Sequence, residues 1–241
     1  MDNYQLREKT HLFFRQNSKQ FVIVLVINYV LVIGLDILER ILLMMRYGLS
    51  ISLSNFINYS QLVSVVDTQF DFVSVLVQLI VGIGLSVFTA GISIAVLKGI
   101  RRGYFEAKDV FEVFRMKWGR LALIIILTQL IISILSIAIV PGIIATYSLA
   151  MNYFMFSDHP ENSVTDSMKM SHQFMRGKRM KLFLAELYYL AWIVAALLVS
   201  VVLTYVGLVI GIISFVLVSF ISAFVGVLVI ILHAQFYTEN I

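Results

Sequence analysis

The chain has 241 residues, 60% of them hydrophobic and only 13% charged, with a net charge of +4 and no cysteine. A soluble domain carries about 25% charged residues, and a core of this size cannot withdraw so much apolar surface from water. Lipid must therefore solvate much of the chain, and disulfide or thiol chemistry is excluded.

A polar, basic start precedes Phe21, with Arg7, Lys9, Arg15 and Lys19. No small-residue cleavage site follows the first apolar run, so that run is expected to be a retained anchor. It is read as a span over about 20–45 that continues through Asp36, Glu39 and Arg40. Asp36 and Arg40 are four apart and can pair on one helix face. Asp36 lies about 24 Å along the helix from Gln20, so the cluster is read as an outer collar, with a gate or coupling site as the alternative.

Three longer runs fix the remaining crossings. Phe72–Leu97 carries no Asp, Glu, Lys or Arg, and neither does Leu121–Ser157; Leu182–Asn240 holds only Glu186 and Glu239. One crossing takes about 20 helical residues, so the second and third runs must fold back. Pro141-Gly142 is the expected hinge in one and Gly207 in the other. The reading is an all-α membrane protein, a single polytopic domain over 1–241. Its six spans lie at about 20–45, 72–97, 120–140, 142–157, 182–205 and 208–234. A re-entrant segment is the alternative for the short fourth span.

Basic residues orient the spans. They gather before the first span, between the second and third (Lys98–Arg120), and between the fourth and fifth (Lys169–Lys181). Six crossings put all three groups and both termini on one side, the cytoplasmic side by the positive-inside rule.

Two short amphipathic helices are expected on that side. Over about 105–118, Val110, Phe111, Val113, Phe114 and Trp118 mark an apolar face. Before the other, Asp158-His159-Pro160-Glu161 reads as a turn, since Pro160 cannot continue a helix, and Asp158 and Pro160 are candidate partner-binding residues. Ser163-Val164-Thr165-Asp166 then has capping-box spacing. Val164, Met168, Ser171 and Met175 follow at helical spacing to a stop at Gly177. The basic run Arg176–Lys181 would meet anionic lipid headgroups.

Charged and polar groups inside the spans are candidate sites by default. Glu186, five residues past Lys181, is expected near the headgroups, paired with Lys181 or another nearby cation. Asn152 lines one face of the fourth span with Ala145 and Ser148 and can hydrogen-bond across an interface. Trp192, near the middle of the fifth span, is expected to be packed. Small residues recur at four-residue spacing, as in Gly91, Ala95 and Gly99. His159, Glu161, Asp166 and His172 match no metal-ligand spacing, and no nucleophile–base pair or phosphate loop stands out. No catalytic residue, metal or cofactor is therefore assigned.

The stretch from Pro141 to Trp192 resembles a bacterial integral-membrane family, the domain-of-unknown-function family nine hundred seventy-five, common in Firmicutes. The resemblance rests on Pro141-Gly142, Tyr147, Asp158-x-Pro160, Ser171 with Met175-Arg176-Gly177, Glu186 and Ala191-Trp192. It extends to the basic leader and to the closing Ala234–Glu239. It implies a six-helix protein of the bacterial cell membrane and supplies no catalytic residues.

The function read from all this is a non-enzymatic polytopic protein acting through helix packing with a protein or lipid partner, or with a second copy of itself. Accessory-subunit, envelope-stress and peptide-immunity roles fit that description. A small permease or channel is the alternative. A lipid-modifying enzyme using Glu161, His159 or His172 is a further one. Nucleic-acid binding is not expected, because the basic residues follow the membrane rule.

Overall fold

A computed structural model describes residues 2–46, 72–204 and 208–241. Among them the secondary structure is helical, with no strand. The helices are α1 (Asn3–Gln16), α2 (Ser18–Arg46), α3 (Phe72–Arg102), a 3₁₀ helix (Ala107–Arg115), α4 (Trp118–Leu135), α5 (Ile139–Leu149), α6 (Asn152–Asp158), α7 (Val164–Phe174), α8 (Arg179–Thr204) and α9 (Leu208–Asn240). Six stretches are long and apolar enough to cross a membrane: Ser18–Leu42, Gln78–Arg102, Trp118–Leu135, Ile139–Asp158, Arg179–Leu203 and Val216–Asn240. The protein is a multi-pass membrane protein with the six expected spans. Gly207, the hinge expected between the last two, lies outside the described residues.

The chain divides into two units. One comprises Val26–Ser86, and the other Met1–Leu25 with Val87–Ile241. The smaller holds the second half of α2 and the first half of α3, whose Val30, Val32, Leu79 and Ile80 are exposed. The side chains of Asp36 and Glu39 lie outside the described residues; Arg40 follows them on α2.

In the larger unit the basic end is tied together by bonds between segments far apart in sequence. Lys9 pairs with Glu239, and Lys178 Nζ donates to the Asn240 carbonyl at 3.2 Å. Asn17 Oδ1 accepts from the Phe105 N–H (2.9 Å), and Gln20 Oε1 from the Ala107 N–H (3.1 Å). Phe21 stacks on Phe105 at 4.3 Å. First helix, last helix and both basic connections thus meet at one end, as an even number of crossings requires.

Helix α1 goes beyond the sequence-based expectation for the polar start. Its signal was present: Asp2 and Gln5 form a capping box, and Leu6, Thr10 and Phe13 are buried on one face.

The Pro141 hinge is displaced. Helix α4 ends at Leu135, the chain turns through 136–138, and Pro141 sits in the first turn of α5. A helix's first N–H groups have no intrahelical acceptor, so proline costs nothing there. Gly142 serves closeness rather than turning: a Cβ there would lie 2.5 Å from Ser136 Oγ and 2.7 Å from Ser136 Cα. Gly142→Ala is expected to destabilise the protein by about 1–3 kcal/mol. Gly226→Ala, with open space around the added methyl, should be neutral or slightly stabilising. Detergent-denaturation midpoints of the two variants would separate these outcomes.

The expected amphipathic helix at 105–118 is a 3₁₀ helix over Ala107–Arg115. A 3₁₀ helix superposes residues three apart, so Ala107, Val110 and Val113 form its buried face. Phe111, Phe114 and Trp118 of the expected apolar face are exposed. The Gly91/Ala95/Gly99 stripe receives this segment. A Cβ on Gly91 would meet the Val110 carbonyl at 2.7 Å, and one on Gly99 would meet Phe105 at 3.2 Å.

Glu112 of the 3₁₀ helix is bound by Lys98, and that ammonium holds its carboxyl below the ordinary value of 4.5. A depressed folded-state value means stability that is present above the ordinary value and lost as pH falls through the folded one. Wild type should therefore exceed Glu112→Gln in melting temperature at neutral pH, with the gap closing as pH drops below about 4.5.

Candidate functional site

Polar groups from several spans of the larger unit converge on the C-terminal turns of α9. His233 and Tyr237 are four residues apart and share a helix face. His233 Nε2 lies 3.3 Å from Glu186 Oε2 of α8, and the Tyr147 phenol of α5 faces the same carboxylate. One turn on, the Tyr237 hydroxyl donates to Asp158 Oδ2 of α6 (2.8 Å). Arg101 of α3 grips both oxygens of Asp158 at 2.7 Å each, the two-pronged geometry that makes Arg–carboxylate pairs strong. Phe154 stacks on Tyr237 at 5.3 Å. Four spans are tied together through two carboxylates.

The expected partner of Glu186 is thereby corrected. Lys181 and Glu186 are five apart on α8, a spacing that puts them on different faces. Glu186 turns into the bundle, where the cation-capable group is His233. The Glu186 side chain is 15% exposed and that of His233 20%, so the pair is largely withdrawn from solvent. Trp192 is also corrected: it is exposed rather than packed.

The fourth span is α5 followed by α6, with a break at Ala150–Met151. Its 20 residues measure about 30 Å in helical rise, enough for a crossing. Irregular backbone at membrane depth persists only where its polar groups find partners. Ser171 of α7 supplies them: its hydroxyl donates to the Ser148 carbonyl (2.9 Å) and accepts from the Met151 N–H (3.2 Å). Just beyond, Asn152 Nδ2 donates to Thr128 Oγ1 of α4 at 2.8 Å. Asn152 Oδ1 is buried without a partner.

No protein-family model matches the chain, nor does any curated protein or solved structure.

The turn at Pro160 forms as expected: the Asn162 N–H donates to the His159 carbonyl at 3.1 Å. Ser163 caps α7, its Oγ accepting from the Asp166 N–H, and Gly177 has the positive φ of +78° that stops such a helix. Ser167, Met168, Ser171 and Met175 are buried. Helix α7 therefore docks on α4, α5 and α6 instead of lying only against headgroups. His159, Glu161, Asp166 and His172 are dispersed. His159 is 3.6 Å from Glu161, Asp166 serves the cap, and His172 lies 3.3 Å from Arg179.

Two concave sites lie elsewhere on the larger unit. The first, about 430 Å³, is framed by Arg7, His11 and Arg15 of α1 with Tyr188 of α8. The Arg7 guanidinium sits 4.8 Å over the Tyr188 ring. The second, about 480 Å³, is an apolar groove among α4, α5 and α7. Glu186, His233 and Asp158 line neither. Of the residues assembled here, the sequence marked Glu186, Asp158 and Asn152. It did not mark Arg101, Thr128 or Tyr237 as their partners. The four-residue spacing of His233 and Tyr237 on α9 was the available signal.

Proposed function

We propose that this is a non-enzymatic protein of a bacterial cell membrane that acts by packing against a partner within the bilayer, protein or lipid. The observation that carries this reading is the use made of the buried charges. Glu186, Asp158 and Glu239, the acids inside the described spans of the larger unit, are each engaged in a bond to another helix. Meanwhile Leu197, Leu198, Val199, Val201 and Val202 present a broad apolar face outward. A solute path needs convergent polar groups free to bind cargo; a packing protein needs a rigid frame and an apolar exterior.

The resemblance to the bacterial family supports the same setting, and the basic end supports attachment to anionic headgroups. Roles as an accessory subunit, in envelope stress or in immunity to a membrane-active peptide all fit such a device.

The test is native mass spectrometry of protein gently extracted from its own membrane, alongside flux into proteoliposomes. A stoichiometric protein or a retained lipid class, with no flux above empty vesicles, is expected. Flux abolished by Glu186→Gln would overturn the reading in favour of a permease.

A further inference from the structure

The apolar groove carries its charge-bearing side chains on one wall, α7. Its floor is Ile131 and Leu135 of α4 with Pro141 and Ile144 of α5, and its rim on α7 is Lys169, His172 and Gln173. From Pro141 to Leu149 the α5 wall runs about 12 Å along the helix. The volume of about 480 Å³ falls within the usual size of a ligand cleft, about 300–1,000 Å³. Within the groove Ser148 is the polar side chain of α5, and its hydroxyl donates to the Ile144 carbonyl of its own helix at 2.5 Å. The walls therefore present hydrocarbon, which suits a chain without hydrogen-bonding groups.

The rim presents positive charge. Lys169 has no acidic partner among the described residues. The nearest acid on its helix, Asp166, is held at the N-cap by Ser163. His172, one turn from Lys169, has the Arg179 guanidinium beside it, and the Arg179 Nε is buried without a partner. The basic run Arg176–Lys181 follows directly. The cationic rim is carried by α7, in the segment that joins the fourth and fifth spans, and the apolar floor by α4 and α5.

We propose that this groove binds an anionic phospholipid, one acyl chain lying along α4 and α5 and the headgroup phosphate held by Lys169 and His172. This rests on the reading that the protein acts through a partner in the bilayer, and names that partner's chemical class. Lipid tails already surround the protein, so burying one more gains little by itself. Selectivity must come from the headgroup, and the proposal is tested there.

Because the chain has no cysteine, a bimane on Ile144→Cys reports from the groove alone. The protein is placed in phosphatidylcholine vesicles and titrated with chain-brominated phosphatidylglycerol or chain-brominated phosphatidylcholine. Quenching by the anionic lipid is expected at about a fivefold lower mole fraction. Lys169→Gln should erase that difference and Lys169→Arg should keep it. Lys108→Gln should also keep it, since it removes an exposed charge paired with Glu106 away from the groove.

Equal quenching by both lipids in the unsubstituted rim overturns the proposal. So does an equal loss from Lys108→Gln, which would mean general surface attraction. Protection of the bimane from both lipids by a co-purifying protein would assign the groove to that protein instead. Glu186-dependent flux would remove the functional reading and leave the quenching result standing, so the two failures are distinguishable.

Discussion

Asp158→Ala is expected to lower the free energy of unfolding by about 2 kcal/mol, read as an earlier midpoint when the detergent-solubilised protein is titrated with sodium dodecyl sulfate. The substitution removes three hydrogen bonds at once, two from Arg101 and one from Tyr237. The Arg101 side chain is 40% exposed, so water and headgroups can take over part of its solvation, which keeps the loss below that of a fully buried broken pair. Tyr237→Phe, which removes a single hydrogen bond, should lose about 1 kcal/mol. Glu161→Ala makes a fair control on the neighbouring turn, because that side chain is 69% exposed. The double variant Arg101→Met/Asp158→Ala should lose less than the sum of its singles, since each single leaves the other's partner stranded. Strict additivity, or a silent Asp158→Ala, would mean that the ends of α3, α6 and α9 are held by packing alone.

The parts of this fold that were legible in the sequence are those set by solvent and local chemistry. Charge-free runs named the spans because a bilayer excludes charge over a fixed thickness. Ser163, Pro160 and Gly177 announced a cap, a turn and a stop because each acts on its own backbone. What depended on another helix was misread or unseen. Glu186 was legible as an acid needing a partner, but that partner, His233, is 47 residues away on α9. Pro141 reads as the break because proline interrupts helix interiors, yet the first turn tolerates it. The turn itself consists of Ser136-Ile137-Ala138, which carries no Pro or Gly signal. The 3₁₀ period of the Ala107–Arg115 helix is not legible because Val110, Phe111, Val113 and Phe114 fit either period over so short a run. Only burial of Ala107, Val110 and Val113 distinguishes the two.

Ser171 illustrates the same point at the candidate site, and its replacement carries the largest expected effect. Ser171→Ala should destabilise the protein by about 3 kcal/mol in the same denaturation assay. One hydroxyl serves both sides of the α5–α6 break, accepting from the Met151 N–H and donating to the Ser148 carbonyl. Alanine leaves both backbone groups unpaired at a site that is fully buried, and an orphaned buried group costs about 1–3 kcal/mol. Ser167→Ala is the matched control. Ser167 is equally buried, but its hydroxyl donates to the Ser163 carbonyl of its own turn, which also accepts from the Ser167 N–H. That carbonyl keeps a partner, so the loss should stay below about 0.5 kcal/mol. Ser171→Thr retains the hydroxyl and should recover much of the stability if the added methyl is accommodated. Ser171→Cys, a weaker donor of similar shape, should fall between serine and alanine. If Ser171→Ala and Ser167→Ala were equally mild, the break would draw its partners from elsewhere, and α7 would be a surface helix rather than the part that lets the fourth span bend within the membrane.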